Sequence, residues 1–88
     1  MRLPGKVAII TGGAHGMGAE ETQLFAREGA KVVIADVLED EGKKLEAEID
    51  QTGAEAMYMR TDVTSETDWK RLVEATVARF GKLDILVN

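Results

Sequence analysis

The sequence predicts an α/β fold in which helices cover both faces of a parallel sheet. Two observations predict it. Short apolar runs alternate with helical patterns along the chain, and the first run passes through a glycine-rich loop directly into a helical pattern. Continuously apolar runs are typical of parallel strands, which are buried on both faces. The order β-α-β-α-β-α-β gives a doubly wound sheet with strand order 3-2-1-4 if the chain reverses direction after the third strand.

Seven elements are predicted in chain order. They are a strand at Val7–Thr11, a helix at Met17–Glu28, a strand at Lys31–Asp36, a helix from about Glu39 to Gln51, a strand at Ala54–Arg60, a helix that Gly81 ends and a strand at Leu83–Val87. Runs rich in Val and Ile mark the strands, and methionines weaken the pattern in the third. The first helix has Met17, Leu24 and Phe25 near helical spacing and Gly29 as its cap. The second has Leu45 four residues before Ile49 on a charged surface, and Gly53 ends it.

The last helix begins with a capping signal. Ser65 and Asp68 resemble a capping box, although Asp is shorter than the usual Glu or Gln. The apolar residues of this helix are Trp69, Leu72, Val73, Val77 and Phe80. This helix alone would cover one face of the sheet while two helices cover the other, and the fourth strand would be an exposed edge. We therefore expect apolar surface that further strands and helices would cover.

Composition limits the class of protein. The chain has 88 residues, 44% of them hydrophobic, which is enough for one core. A net charge of −5 argues against nucleic-acid and anionic-membrane surfaces. No apolar run is long enough to span a bilayer, and Lys6 and Thr11 interrupt the first apolar segment too early for a signal peptide. The absence of cysteine fits a reducing compartment, so a cytoplasmic location is expected. His15, the only histidine, cannot build a metal site alone.

Three glycines, Gly12, Gly16 and Gly18, follow the first strand, and Gly18 stands inside the first turn of the first helix. The first amides of a helix are unpaired and the helix dipole adds positive charge there, so an anion such as pyrophosphate is expected. Gly12 and Gly16 are expected to take positive φ or to admit phosphate oxygens close to the backbone. Gly18 is expected to let the helix pack tightly on the first strand. Glycines that only shape a turn are the alternative, and Glu21 stands where the third glycine of G-x-G-x-x-G would fall.

Asp36 ends the second strand about 20 residues beyond the loop. A carboxylate at that point can accept both hydroxyl hydrogens of an adenosine ribose, and it would repel a 2′-phosphate. No Lys or Arg follows it closely, and the loop position where a compensating base would stand is His15. The sequence therefore predicts NAD rather than NADP. An exposed strand end for Asp36 and a solvated side chain for His15 are the alternatives.

Polar residues also follow the third and fourth strands. Open α/β sheets bind ligands at the carboxyl edge of their strands. Asp62 is expected there to accept a hydrogen bond from an adenine amino group while Val63 packs on the ring, with a surface turn as the alternative. Asn88 ends the fourth strand at the same edge and is a further candidate.

These residues together resemble the N-terminal third of the short-chain dehydrogenase/reductase family. The likeness rests on the glycine loop, Asp36, Asp62-Val63 and the segment Leu83–Asn88, and it covers nearly the whole chain. It implies a Rossmann-type fold whose N-terminal portion these residues form, NAD as cofactor, an alcohol or ketone substrate and a homo-oligomer at full length. It also implies that Thr11 braces the loop, that His15 and Met17 lie along the cofactor, that Asp36 holds the ribose, that Asp62 and Val63 hold adenine, and that the backbone of Asn88 contacts a ribose. The segments 13–18 and 35–42 are also similar to bacterial hydroxysteroid and secondary-alcohol dehydrogenases.

The Ser, Tyr and Lys that members of that family use for catalysis are not found. Tyr58, the only tyrosine, is followed four residues later by Asp62 rather than by Lys, so no catalytic residue is predicted. We therefore expect residues 1–88 to be the truncated N-terminal part of a single dinucleotide-binding domain, inactive alone. A non-catalytic nucleotide-binding module and a fragment of a methyltransferase that binds S-adenosylmethionine are the alternatives.

Overall fold

The computed structural model describes residues 2–88 and contains a parallel sheet with three helices. The elements are β1 (Val7–Thr11), α1 (Gly16–Arg27), β2 (Lys31–Asp36), α2 (Glu39–Gln51), β3 (Ala56–Arg60), α3 (Glu66–Phe80) and β4 (Ile85–Val87). The strands lie in the order β3-β2-β1-β4, and every adjacent pair is parallel. The fold class and strand order predicted from the sequence are confirmed.

The core consists of two apolar layers, one on each face of the sheet. Side chains of β1 alternate between them: Ala8 and Ile10 pack toward α1 and α2, and Ile9 packs toward α3. Residues 7–10 are fully buried, as their continuous apolar character predicts for a central parallel strand. The layer under α3 is the smaller of the two. Leu72 is the one fully buried apolar residue that α3 contributes to it.

Glycines end the helices where the sequence places them. After α1, the amide of Gly29 donates to the carbonyl of Ala26 and the amide of Ala30 donates to that of Phe25, both at 3.1 Å. This pair of bonds is a Schellman motif, and it requires the φ of +95° that Gly29 adopts. The reversal leads directly into β2.

Some details differ from the sequence-based expectations. In α1, Met17 and Leu24 are 80% and 47% exposed, and Thr22 and Ala26 are buried instead. The capping box before α3 is half formed: Ser65 Oγ accepts from the amide of Asp68 at 3.2 Å. The Ser65 amide donates to the Asp62 carbonyl at 3.0 Å, and the Asp68 carboxylate accepts from the amide of Asp62 at 2.8 Å instead.

Candidate functional site

The carboxyl ends of the four strands meet at one edge and are joined by hydrogen bonds. The amide of Gly12 donates to the carbonyl of Ala35 at 2.8 Å, which links the ends of β1 and β2. The amide of Thr61 donates to the carbonyl of Asp36 at 3.1 Å, which links β2 to β3. Thr11 Oγ1 donates to the carbonyl of Val87 at 3.1 Å, which links β1 to β4. The candidate residues predicted from the sequence therefore follow strands that end side by side.

The glycine loop has the open backbone that an anion needs. Gly12 and Gly16 have φ values of +65° and +55°. Among residues 2–88, apart from each glycine's own neighbours in the chain, no atom lies within 4 Å of the place that a Cβ would occupy on either residue. Both backbones are therefore accessible from outside. The positive φ values predicted for them are confirmed.

Gly18 is needed for a closer contact. A Cβ on Gly18 would overlap the carbonyl group of Gly12. The backbone that Gly18 approaches is thus that of the loop, rather than that of β1 as expected from the sequence. This contact fixes the path of the loop over the start of the helix.

The N-terminus of α1 has no anion of its own. Its N-cap, His15, makes no side-chain capping hydrogen bond, and its first turn has no acidic residue. By contrast, α2 begins with Glu39, Asp40 and Glu41, and α3 has the Ser65 cap. Free amides and the positive end of the helix dipole make the start of α1 suited to an external phosphate.

Asp36 lies at the mouth of this loop. Its Oδ2 atom accepts from the amide of Ala14 and its Oδ1 atom accepts from the amide of Leu38, both at 3.1 Å. The residue is only 8% exposed. Two backbone amides hold its carboxylate in this buried position. Each carboxylate oxygen can accept a further hydrogen bond, so these contacts leave capacity for ribose hydroxyls.

The other candidates lie around this edge with different surroundings. Asp62 Oδ1 accepts from the amide of Thr64 at 2.9 Å and from its hydroxyl at 2.6 Å, and these bonds hold the Asp62 pKa below its usual value. Val63 is 48% exposed, and its carbonyl accepts from Trp69 Nε1 at 2.8 Å.

Asn88 lies beside Thr11, with 3.4 Å between Asn88 Oδ1 and Thr11 Oγ1. His15, in the loop, and Met17, in the first turn of α1, are exposed. Ligand contacts of all these residues stay predictions.

Sequence reasoning missed the residues that hold the loop in shape. Thr22 is fully buried in α1, and its hydroxyl donates to the carbonyl of Gly13 at 3.0 Å and to that of Gly18 at 2.8 Å. A Cβ on Gly13 would lie 2.9 Å from Thr22 Oγ1, so Gly13 gives that hydroxyl room. The signal in the sequence that would have indicated this role is a threonine among the apolar positions of an amphipathic helix.

A cavity of about 510 Å³ lies away from the candidate site. Its lining includes residues 29–31, which lead into β2, and residues 52–55, which precede β3. These residues precede their strands, so the cavity is at the opposite edge of the sheet from the glycine loop. The loop, by contrast, is an open surface, which suits a long ligand that lies across the edge.

In the part of the chain that the structure describes, no helix has both the length and the apolar character that a membrane-spanning segment needs.

Comparison with known proteins agrees with this geometry. The family model for short chain dehydrogenases matches residues 6–88, so the chain belongs to the short-chain dehydrogenase family. It is 49% identical to a 2,5-dichloro-2,5-cyclohexadiene-1,4-diol dehydrogenase of Sphingobium indicum, covering 99% of this chain and 35% of that protein. It is 47% identical to a 3-beta-hydroxysteroid dehydrogenase of Comamonas testosteroni, covering 99% of this chain and 33% of that one.

A solved structure has nearly the same backbone. The structure of a 7 alpha-hydroxysteroid dehydrogenase complexed with NADH and 7-oxo glycochenodeoxycholic acid superposes with a TM-score of 0.95 at 44% identity. The match covers 99% of this chain and 34% of the other. The family resemblance found in the sequence is confirmed, including its hydroxysteroid dehydrogenase members. The chain spans about a third of the length of the relatives it matches.

Proposed function

We propose that this chain binds NAD(H) across the carboxyl edge of its sheet, and that the whole protein transfers hydride between NAD and a secondary alcohol or ketone. In this proposal the glycine loop and the start of α1 bind the pyrophosphate. Asp36 accepts the ribose hydroxyls, and Asp62 and Val63 contact the adenine. His15 and Met17 lie along the cofactor, and the backbone of Asn88 contacts a ribose.

The observation that carries the proposal is the position of the Asp36 carboxylate. It is bonded to the Ala14 amide, so a ligand whose phosphates rest on the loop has its adjacent sugar beside this carboxylate. A dinucleotide has phosphate and ribose at that spacing. The hydroxysteroid dehydrogenase with a TM-score of 0.95 to this chain is complexed with NADH, which supports the same ligand.

The charge of Asp36 supports NAD over NADP. A 2′-phosphate on the ribose would meet a carboxylate that two backbone amides hold in place. The negative charges of the phosphate and of the Asp36 carboxylate would repel each other, and little water would screen this repulsion in a buried site. NADPH should therefore bind more weakly than NADH.

Chemistry on the substrate needs groups outside this set. NAD supplies the hydride acceptor, while the chain binds and orients it. Tyr58 does not serve as an acid or base here, since its hydroxyl donates to the carbonyl of Asp36 at 2.8 Å and its ring lies between β3 and α2. The relatives' names, hydroxysteroid and diol dehydrogenases, support an alcohol or ketone as substrate.

Titration with three ligands tests the proposal. Trp69, the only tryptophan, lies beside Val63, so its fluorescence should respond to NADH by quenching or energy transfer. NADH should bind most tightly, NADPH at least tenfold more weakly, and S-adenosylmethionine not measurably. Asp36→Ser should reduce the difference between NADH and NADPH, whereas the exposed Asp40→Asn in α2 should not. Preference for S-adenosylmethionine would identify a methyltransferase fragment, and binding of no ligand would refute the proposal.

For the whole protein we propose a single dinucleotide-binding domain whose N-terminal part is residues 1–88. Exposed Val73, Val77 and Leu86 support this, because further strands and helices would cover them. We propose further that the whole protein is a cytoplasmic homo-oligomer, with the lack of cysteine as support for the compartment. Intact mass, size-exclusion chromatography and cell fractionation test these three points.

A further inference from the structure

Tyr58 contacts the same residue that the proposed function assigns to the ribose. Asp36 accepts four hydrogen bonds. Two go to its carboxylate, from Ala14 and Leu38, and two go to its carbonyl, from the Thr61 amide at 3.1 Å and the Tyr58 hydroxyl at 2.8 Å. The hydroxyl is the one side chain that reaches this carbonyl among residues 2–88. Tyr58 therefore holds the peptide plane that leads out of β2.

The ring of Tyr58 also packs against the first turn of α2. Tyr58 pairs with Ile34 in the sheet, and its ring lies against Gly42 in α2. A Cβ on Gly42 would overlap ring atoms Cδ1 and Cε1. A glycine inside a helix costs about 1 kcal/mol relative to alanine, so its presence here needs a packing reason, and the ring is that reason. The amide of Gly42 donates to the carbonyl of Leu38, whose own amide binds the Asp36 carboxylate.

The segment after β2 is thus fixed at both of its ends by one side chain. The Tyr58 hydroxyl holds the Asp36 carbonyl, and its ring sets the first turn of α2, which presents Leu38. Burial and the nearby carboxylates of Glu39 and Asp36 raise the pKa of Tyr58, so the hydroxyl keeps its proton and remains a donor at neutral pH.

We propose that Tyr58 is a positioning residue that holds the Asp36 carboxylate in place and thereby sets the preference for a ribose 2′-hydroxyl over a 2′-phosphate. Gly42 is the second part of this arrangement, because it admits the ring. This inference rests on the proposed function. It also has a consequence that needs no ligand: loss of the hydroxyl loosens the two amides that the carboxylate accepts from.

The test compares Tyr58→Phe with a matched control in the 88-residue chain. Tyr58→Phe keeps the ring and removes only the hydroxyl. Thr52→Val removes a comparable hydroxyl, which donates to the Ile49 carbonyl at 2.6 Å at the other end of α2. Circular dichroism establishes that both variants are folded. Dissociation constants for NADH and NADPH and amide hydrogen exchange without ligand are then measured.

Tyr58→Phe should weaken NADH binding about threefold to tenfold, the effect of one hydrogen bond, with NADPH affected less. The dissociation constant for NADPH divided by that for NADH should fall by a similar factor. Exchange at the amides of Ala14 and Leu38 should accelerate, and Thr52→Val should change neither readout. Gly42→Ala should act like Tyr58→Phe although it retains the hydroxyl, because it displaces the ring.

Equal NADH to NADPH ratios in Tyr58→Phe and Thr52→Val would overturn the role of Tyr58 in specificity. Unchanged exchange at Ala14 and Leu38 would overturn its positioning of Asp36. Failure of the unmodified chain to bind NADH, with faster exchange still seen in Tyr58→Phe, would refute the proposed function and its specificity consequence while leaving the positioning intact.

Discussion

At the residue scale, the glycines of the loop after β1 and of the start of α1 serve two different physical purposes. Gly12 and Gly16 need positive φ and leave open space above the backbone, whereas Gly13 and Gly18 have neighbours too close for a Cβ. The first pair therefore concerns the ligand, and the second pair concerns the shape of the loop. Substitution by alanine should separate these two roles.

Gly16→Ala and Gly18→Ala should fail in different ways. Gly16→Ala places a Cβ in open space at φ +55°, so it should cost about 1–2 kcal/mol of stability for the left-handed backbone. It should still weaken NADH binding at least tenfold, because the new methyl group occupies the phosphate approach. Gly18→Ala meets the backbone of Gly12 and should cost about 3 kcal/mol or more. Urea denaturation and NADH titration check both, and equal stability loss in the two variants would contradict this division.

Thr22 should matter through its hydroxyl rather than its volume. Thr22→Val keeps the shape but removes the one hydroxyl proton that the buried Gly13 carbonyl and the partly buried Gly18 carbonyl share. A loss of about 1–3 kcal/mol is expected, together with weaker NADH binding. Thr22→Ser keeps the hydroxyl and should retain NADH affinity, although it loses about 0.8 kcal/mol of methyl burial. Equal NADH affinities in the two variants would show that the hydroxyl does not shape the loop.

At the element scale, β4 is held to the sheet by a carboxylate at its start. Asp84 Oδ2 accepts from the buried amide of Val7 at 2.9 Å, and the amide of Asp84 donates to the carbonyl of Val7 at the same distance. Lys82 Nζ lies 3.1 Å from the same carboxylate oxygen. The bond from Val7 and the contact with Lys82 lower the Asp84 pKa. This arrangement compensates for a strand of only three residues at the sheet edge.

Asp84→Asn should therefore destabilise the chain in a pH-dependent way. The folded-state pKa of Asp84 lies below the unfolded value of about 3.9, so its stabilisation is complete above that value and is lost as pH falls through the folded value. The difference in stability between the unmodified chain and Asp84→Asn should be constant near neutral pH and shrink below about pH 4. Urea denaturation across pH measures it. Lys82→Gln should have the smaller effect, and a difference that grows in acid would contradict the assignment.

The elements could be predicted from the sequence because their signals are local. Continuous Val and Ile runs mark β1 and β2, and Gly29 ends α1 through bonds within six residues. The start of β4 is two residues later than expected, because Asp84 is bonded to Val7 across the sheet and strand pairing begins only at Ile85. In the candidate site, the open glycines and the place of Asp36 followed from spacing. The bonds of Asp36 to Ala14 and of Tyr58 to Asp36 did not, since each joins residues 22 apart and depends on how closely the elements pack.

At the scale of the whole molecule, the two faces of the sheet are covered unequally. Among residues 2–88, the core layer under the two helices on one face contains ten buried residues, while the layer under α3 on the other contains four. On that second face Leu86 pairs with Ile9 in the sheet and is 48% exposed, and Val73 and Val77 are 37% and 43% exposed on α3. Exposed apolar residues on one face of a sheet and on the helix that packs there mark surface that another segment or molecule covers.

Val77→Gln should distinguish the chain alone from a longer protein that covers this face. In the 88-residue chain the substitution is on the surface, so its stability should change by less than about 0.5 kcal/mol, while self-association should decrease. In the longer protein the same change would bury a side-chain amide that has no hydrogen-bond partner, and it should reduce the free energy of unfolding by about 1–3 kcal/mol. Leu24→Gln, on α1 and 47% exposed, is the control and should have similar small effects in both. Thermal denaturation and light scattering measure the outcome, and a Val77→Gln cost equal in the two proteins would show that this face stays exposed to water.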